Sequence, residues 1–196
     1  MAPTATAPKA ELTGTARERL LAAANELFYA EGVQSVGIDR IIERAGVAKA
    51  SLYNTFGSKD ALVRAYLDAR HALTAARIEE GIARYDTPRE QLLGIFEMQA
   101  ELFTRPTFRG CAFVAASGES KPGSVIEVAT DEFRAEIRAR LRGLAAAAGA
   151  TDPDLVAAQL QALYDGATIA ARLDRSADVA VASRSAAAIL IDAAIR

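Results

Sequence analysis

The segment between residues 38 and 56 constrains the fold more than any other part of the chain. Apolar side chains recur there at helical spacing on both sides of one glycine: Ile38, Ile41, Ile42 and Ala45 before Gly46, and Leu52 and Phe56 after it. The turn Ala45-Gly46-Val47-Ala48 is short enough to set two helices at a steep angle. Such a pair cannot bury both of its apolar sides alone, so a third helix is required.

The preceding segment supplies that third helix. Thr15 and Glu18 have the spacing of a capping box, and Gly32 can adopt the left-handed conformation that ends a helix. Leu20, Ala24, Leu27 and Phe28 lie between them at helical spacing. We therefore predict helices over 16–31, 38–45 and 49–55, packed so that the last of them is held outward.

The rest of the chain also shows helical spacing and no convincing strand. Further helices are predicted over these approximate ranges: 59–84, 88–104, 108–117, 125–148, 153–172 and 177–195. Leu62, Tyr66, Leu67 and Leu73 are expected on one side of the first of these. The apolar side of the last is expected at Ala182, Ala186, Ile189, Leu190 and Ala193. The predicted fold class is all-α, with about nine helices.

Charge and composition exclude several classes of protein. The net charge is −2, but residues 17–70 carry eight basic and seven acidic side chains, and residues 49–59 contain no acid before Asp60. One cysteine permits no intrachain disulfide, and no zinc-ligand spacing or catalytic motif is present. We expect no enzyme activity, no cofactor and no metal. Because no signal peptide or membrane-spanning stretch is apparent, we expect a cytoplasmic protein.

The outward side of the 49–55 helix has a composition suited to a DNA groove. It is expected to expose Lys49, Ala50, Ser51, Tyr53 and Asn54, with Leu52 and Phe56 inward. Asn can bond an adenine edge, Ala can contact a thymine methyl, and Ser, Tyr and Lys can hold phosphates. Lys59 can meet a phosphate at the start of the next helix. The alternative is that Tyr53 simply packs and the lysines are ordinary solvated charges.

Three runs of residues resemble the TetR family of repressors. They are Arg17 to Phe28, then IDRIIERAGV from Ile38 to Val47, then LYNTFGSKDAL from Leu52 to Leu62. The pattern LYxxFxSKxxL is quite specific to that family. The chain departs from it at Gly37, where Ser or Thr is frequent, and at Ala48, where Ser is common.

The resemblance implies a domain plan and a function. It implies a disordered tail over 1–14, a helix-turn-helix DNA-binding domain over 15–58, and a helical effector-binding and dimerisation domain over 59–196. Lys49, Ala50, Ser51, Tyr53 and Asn54 would lie at the DNA, with Arg40 and Lys59 on phosphates. The implied protein is a homodimeric, ligand-responsive repressor that binds a palindromic operator and is released by an inducer. The alternative is a DNA-binding protein without a small-molecule effector.

Two further predictions concern the second domain. The helices over 153–172 and 177–195 are rich in Ala with scattered Leu, Ile and Val, and we expect them to pack against a second copy of themselves. A pocket for a small, largely apolar effector is predicted among these residues: His71, Phe96, Met98, Phe103, Phe108, Cys111, Phe113, Phe133 and Tyr164. For both sets, the alternative is that they only fill the core of the monomer.

Overall fold

Every regular element in the computed structural model is an α-helix, within the residues that it describes, 14–118 and 120–195. The helices are α1 (Ala16–Glu31), α2 (Ile38–Ala45), α3 (Lys49–Phe56), α4 (Lys59–Ile82), α5 (Pro88–Phe103), α6 (Ala112–Ser117), α7 (Val125–Ala147), α8 (Pro153–Asp174) and α9 (Val179–Ala194). The prediction of an all-α chain with about nine helices is confirmed. Residues 1–13 of the predicted disordered tail lie outside the described residues.

The helix starts follow from short polar side chains in the sequence. The Thr15 hydroxyl accepts a hydrogen bond from the Glu18 backbone N–H, and the Glu18 side chain accepts from the Thr15 N–H, which completes the predicted capping box. Thr87 accepts from the Glu90 N–H at the start of α5, and Asp152 accepts from the Leu155 N–H at the start of α8. These local bonds explain why the starts of these three helices could be predicted.

The chain divides into two compact units, Met1–Tyr66 and Leu67–Arg196, and α4 contributes residues to both. In the first unit, α1 packs on α2 and α3. Leu20, Ile41 and Leu52 are fully buried between these helices. Gly46 ends α2 at φ 62°, where a glycine is favoured, and the Arg19 guanidinium donates to its carbonyl oxygen at 3.2 Å.

The core of the second unit lies between α5, α7, α8 and α9. Its buried side chains include Leu92, Phe96, Leu141, Leu160 and Ile191. The helix ends are also joined by ion pairs, of which Arg89 of α5 with Asp192 of α9 is bidentate at 2.6 and 2.9 Å. Among the helices of the described ranges, none is both long and apolar enough to cross a lipid bilayer.

Three details of the predicted helices are wrong. The sixth helix begins at Ala112 rather than near residue 108, because Gly110 has φ 92° and Cys111 is extended. Leu73 of α4 is 42% exposed. In α9 the buried side chains are Ala180, Ser183, Ala187 and Ile191, whereas Ile189 is 68% exposed. An alanine-rich helix that is apolar on most sides does not identify its buried face from sequence alone.

Candidate nucleic-acid interface and the buried aromatic side chains

The buried side of α3 is fixed by two residues, as the sequence predicts. Leu52 is fully buried against the other helices of the first unit. Phe56 is half-buried, and the Arg17 guanidinium carbon lies 5.5 Å from its ring centroid. This attachment leaves the opposite side of the helix in solvent.

The predicted contact residues of α3 lie on that solvent side. Lys49, Ala50, Tyr53 and Asn54 are exposed, and Ser51 is half-buried. Tyr53 is one of the exposed large apolar side chains of the described residues, at 44%. A half-exposed tyrosine, which combines an apolar ring with a polar hydroxyl, suits a surface that a partner covers.

The helix N-termini of α2 and α3 have no side-chain cap. Their N-cap residues are Gly37 and Ala48, and neither provides a side-chain hydrogen bond to the first turn. By contrast, Thr15 caps α1 and the Ser58 hydroxyl accepts from the Ala61 N–H of α4 at 3.1 Å. Backbone N–H groups that no side chain satisfies are the donors that bind phosphate oxygens at helix N-termini.

Two of the three cations predicted to contact phosphates are held by carboxylates of the same unit. The Lys49 ammonium Nζ lies 3.0 Å from Asp39 Oδ1, and the hydrogen bond and the charge of Asp39 raise the pKa of Lys49 above its usual value. The Arg40 guanidinium forms an ion pair with Glu31. The sequence indicates a positive α3, and the structure adds a carboxylate beside its first residue.

Lys59 has a different environment. Its ammonium group lies 5.9 Å from the centroid of the Phe28 ring, and Lys59 is half-buried at the first position of α4. Contact with the ring face holds the cation by a cation–π interaction without neutralising it. The Lys59 ammonium group is thus placed beside a ring at the start of α4, where a phosphate could contact it.

The residues of the predicted effector pocket fall into three groups in the second unit. The first contains His71 of α4, Phe113 of α6 and Phe133 of α7. The two phenyl rings are stacked with centroids 4.0 Å apart, and the His71 ring meets Phe133 edge-on at 5.4 Å. His71 Nε2 lies 3.0 Å from a carboxylate oxygen of Glu136 without hydrogen-bond geometry.

The second group lies around Tyr164 of α8. The Phe96 ring is 6.3 Å from the Tyr164 ring, centroid to centroid, and Met98 is buried on the same helix as Phe96. Burial raises the pKa of Tyr164, and the nearby Cys111 adds to this effect. Burial also raises the pKa of the Cys111 thiol, although the N–H groups of Val114 and Phe113 act in the opposite direction.

Phe103 and Phe108 form the third group, with ring centroids 5.1 Å apart. They pack with Ala167, Ala171 and Ala180 of α8 and α9. A separate groove of about 320 Å³ is lined by Ala75, Ile78, Glu79, Glu136, Ile137, Ala139 and Arg140. That groove contains none of the predicted pocket residues.

Sequence reasoning missed the buried polar residues of this unit, among which Gln99 lies closest to the predicted pocket side chain Tyr164. Gln99 is 1% exposed, and its side-chain Nε2 donates to the Tyr164 carbonyl and to Thr168 Oγ1, both at 2.8 Å. Its Oε1 is buried and accepts no hydrogen bond from the residues that the structure describes. The sequence does contain an indication that Gln99 is buried, because this glutamine lies in the apolar stripe of α5 between Phe96 and Phe103.

Comparison with known proteins places this geometry in a family. Residues 20–66 match the model of the bacterial regulatory proteins, tetR family. The crystal structure of SCO4454, a TetR-family transcriptional regulator from Streptomyces coelicolor, is 31% identical over 92% of this chain and 96% of that one, with a TM-score of 0.88. The chain belongs to the TetR family. The predicted family and its non-enzymatic character are thereby confirmed.

Other members of the TetR family match over shorter stretches of sequence. The Escherichia coli transcriptional repressor NemR is 31% identical over 108 residues, which is 53% of each chain. The regulator MT1294 of Mycobacterium tuberculosis is 36% identical over 84 residues, 43% of this chain and 42% of that protein. The chain thus spans about half the length of the curated relatives it matches. The crystal structure of reduced NemR has a TM-score of 0.79 with this chain at 25% identity.

Asp39 and Glu31 pair with two of the proposed DNA-contacting cations, and the sequence did not predict these pairs. Each pairs with a cation nine or ten positions away in the sequence. Such pairs depend on the angle between helices, so no local pattern in the sequence indicates them. The Lys49–Asp39 pair lies at the adjoining N-terminal ends of α3 and α2.

Proposed function

We propose that this TetR-family regulator is a ligand-responsive repressor that binds a palindromic operator as a homodimer. The observation that supports DNA binding best is the exposed side of α3, with Lys49, Tyr53 and Asn54 in solvent beside two helix N-termini without side-chain caps. In a helix-turn-helix, the N-terminal residues of the second helix contact base edges. We therefore assign α3 to the major groove.

Each contact residue has a role that follows from its chemistry. Asn54 suits an adenine edge and Ala50 a thymine methyl. Ser51, Tyr53 and Lys49 suit the flanking phosphates. Arg40 at the start of α2 and Lys59 at the start of α4 extend the phosphate contacts on either side. Binding to random sequence should be weak because the unit carries little net charge. Binding to the operator should be strongly salt-dependent, because Lys49, Arg40 and Lys59 would neutralise phosphates.

The proposal of a homodimer is supported by the second unit. Of the nine exposed large hydrophobic side chains in the described residues, five lie on α8 and α9: Leu155, Ile169, Leu173, Val181 and Ile189. Apolar side chains concentrated on one helix pair mark a surface that a partner covers. A second copy of the same pair gives a four-helix interface with twofold symmetry, which matches a palindromic site.

The effector is assigned to the interior of the second unit, among the predicted pocket residues. Their side chains are mostly apolar, so the effector should be small and largely apolar. Gln99 Oε1 offers one buried acceptor without a partner among the described residues, so an effector with a single donor group would satisfy it. Effector binding lowers the affinity for the operator, and by linkage the operator lowers the affinity for the effector.

The DNA-binding assignment is tested with a double variant, Tyr53→Ala with Lys59→Gln. The operator is first selected as bound duplex from a randomised pool, and we expect a palindrome with half-sites about 34–36 Å apart or a multiple of that. The double variant should lose operator binding in an anisotropy titration. Lys121→Gln removes the same charge from an exposed position of the second unit and should bind as the unaltered chain does.

Retention of operator affinity by the double variant would disprove the assignment of α3. The effector part is tested separately by thermal denaturation with a panel of metabolites. A true effector raises the melting temperature and weakens operator binding in the same concentration range. If no compound does both, the alternative of a regulator without a small-molecule effector is the better account.

A further inference from the structure

The free protein already holds an anion at the place where a DNA phosphate is expected. Asp39 is the second residue of α2, and its carboxylate lies 3.0 Å from the ammonium of Lys49, the first residue of α3. Both side chains are largely exposed, Asp39 at 84% and Lys49 at 60%. The pair therefore lies at the surface, beside two helix N-termini whose N-cap residues bring no polar side chain.

These surroundings attract a negative charge. The N-terminal ends of two helices carry partial positive charge, and Lys49 adds a full one. A phosphate oxygen that docks there meets the same groups that Asp39 now meets. If the Lys49 ammonium contacted the Asp39 carboxylate and a phosphate together, the two anions would repel each other. The carboxylate and the phosphate therefore compete for Lys49.

We propose that Asp39 is an affinity-limiting residue, which occupies Lys49 in the free protein and weakens DNA binding by competing with a backbone phosphate. This inference rests on the proposed function, in which Lys49 contacts DNA. Glu31 acts in the same way on Arg40 through the second ion pair of the unit. The two carboxylates keep non-specific binding weak, so that base contacts of α3 decide where the protein stays.

A purely structural role for Asp39 leads to the opposite expectation. An acidic residue in the first turn of a helix stabilises that helix through its dipole, and Asp39 is the acidic residue of the first turn of α2. If that were its only role, neutralising it would loosen α2 and leave DNA binding unchanged or weaker. The direction of the change in affinity therefore separates the two roles.

The test compares Asp39→Asn with a matched control, Glu26→Gln. Glu26 forms an exposed ion pair with Arg44 at 2.8 Å, and neither residue is a proposed DNA contact. Each variant removes one negative charge from the same unit, so the control measures the effect of net charge alone. The probe is a short random-sequence duplex, which reports phosphate contacts, followed by fluorescence anisotropy between about 50 and 200 mM salt.

Asp39→Asn should bind the duplex about threefold more tightly than Glu26→Gln, as expected when an exposed ion pair no longer has to be broken. The slope of log affinity against log salt should steepen by up to about one, because Lys49 no longer shares its charge between Asp39 and a phosphate. In a Lys49→Gln background the gain from Asp39→Asn should fall to the level of the control. Thermal melting of every variant checks that the fold is kept.

Equal gains in Asp39→Asn and Glu26→Gln overturn this inference alone, since the effect is then one of net charge. The inference is also overturned if Asp39→Asn raises the duplex affinity just as much in the Lys49→Gln background. Weaker duplex binding by a folded Asp39→Asn variant overturns it as well. Failure of the unaltered chain to bind any duplex overturns the proposed function and this inference together. The two failures are therefore distinguishable.

Discussion

Among single residues, Glu97 shows how one partly buried carboxylate connects separate helices. On α5, its two oxygens accept hydrogen bonds from the Tyr85 hydroxyl and from Arg184 Nε of α9, the latter at 2.6 Å. Burial raises the pKa of Glu97, but the hydrogen bonds of Tyr85 and Arg184 outweigh it and keep the pKa below its usual value. A lowered pKa in the folded state means that the ionised form stabilises the fold.

This linkage has a defined sign. The stabilisation is present above the ordinary carboxyl pKa of 4.5 and is lost as the pH falls through the lower folded value. Arg184→Gln should therefore reduce the free energy of unfolding by about 1 kcal/mol at neutral pH, because the partly buried Glu97 carboxylate loses one of its two hydrogen-bond partners. The difference from the unaltered chain should shrink as the pH falls below 4.5 and through the lower folded pKa of Glu97, because the carboxyl group then becomes protonated in both proteins.

Urea denaturation at neutral pH and at acidic pH measures how much Arg184→Gln changes the free energy of unfolding. The matched control is Arg142→Gln, which breaks the exposed pair with Asp154 and should cost less, since surface ion pairs contribute about 0–1 kcal/mol. A loss of stability with Arg184→Gln that stays the same at both pH values would show that the side chain matters through packing instead.

At the scale of helices, the crossing of α4 and α5 depends on two glycines. A Cβ on Gly94 would lie 2.7 Å from the Gly81 carbonyl oxygen and 2.8 Å from ring carbons of Tyr85. Neither the backbone carbonyl nor the packed ring can move aside cheaply. The two helices approach this closely only because both positions lack a side chain.

Gly94→Ala should therefore destabilise the protein, although alanine is the better helix former. Overpacking costs about 1–3 kcal/mol, and the gain in helix propensity returns about 1 kcal/mol of it. The control is Gly143→Ala on α7, where nothing lies within 4 Å of the added Cβ and the substitution should stabilise by about 0.5–1 kcal/mol. Chemical denaturation measures both, and a stabilised Gly94→Ala variant would contradict the close crossing.

Some features of the helices could be predicted from the sequence, and others could not. The bounds of α1 and α2 and the start of α5 are as predicted, because caps and glycines mark them locally. The exposed side of α3 was also predictable, since Leu52 and Phe56, four residues apart, fix its orientation. The buried face of α9 was not, because an alanine-rich helix is nearly as apolar on every side. The Lys49–Asp39 pair was not either, since it depends on the packing of α2 against α3.

For the molecule as a whole, the decisive question is what covers the apolar surface of α8 and α9. Ile189 is 68% exposed and Val181 is 76% exposed, on the helix whose other side packs into the core. A surface of this kind is stable in water when a second copy buries it. Two linked DNA-binding units then gain affinity from simultaneous contact with two half-sites.

Ile189→Lys should shift the proposed dimer to a monomer, because the charged group would have to be buried without a partner in the proposed twofold interface. Operator affinity should fall by at least about a hundredfold, since the advantage of two linked units disappears. Light scattering after gel filtration measures the mass. Val128→Lys is the control, because Val128 is a 47% exposed side chain on α7, outside the proposed interface. A dimer that persists in Ile189→Lys at low micromolar concentration would show that this face of α9 is not the dimer interface.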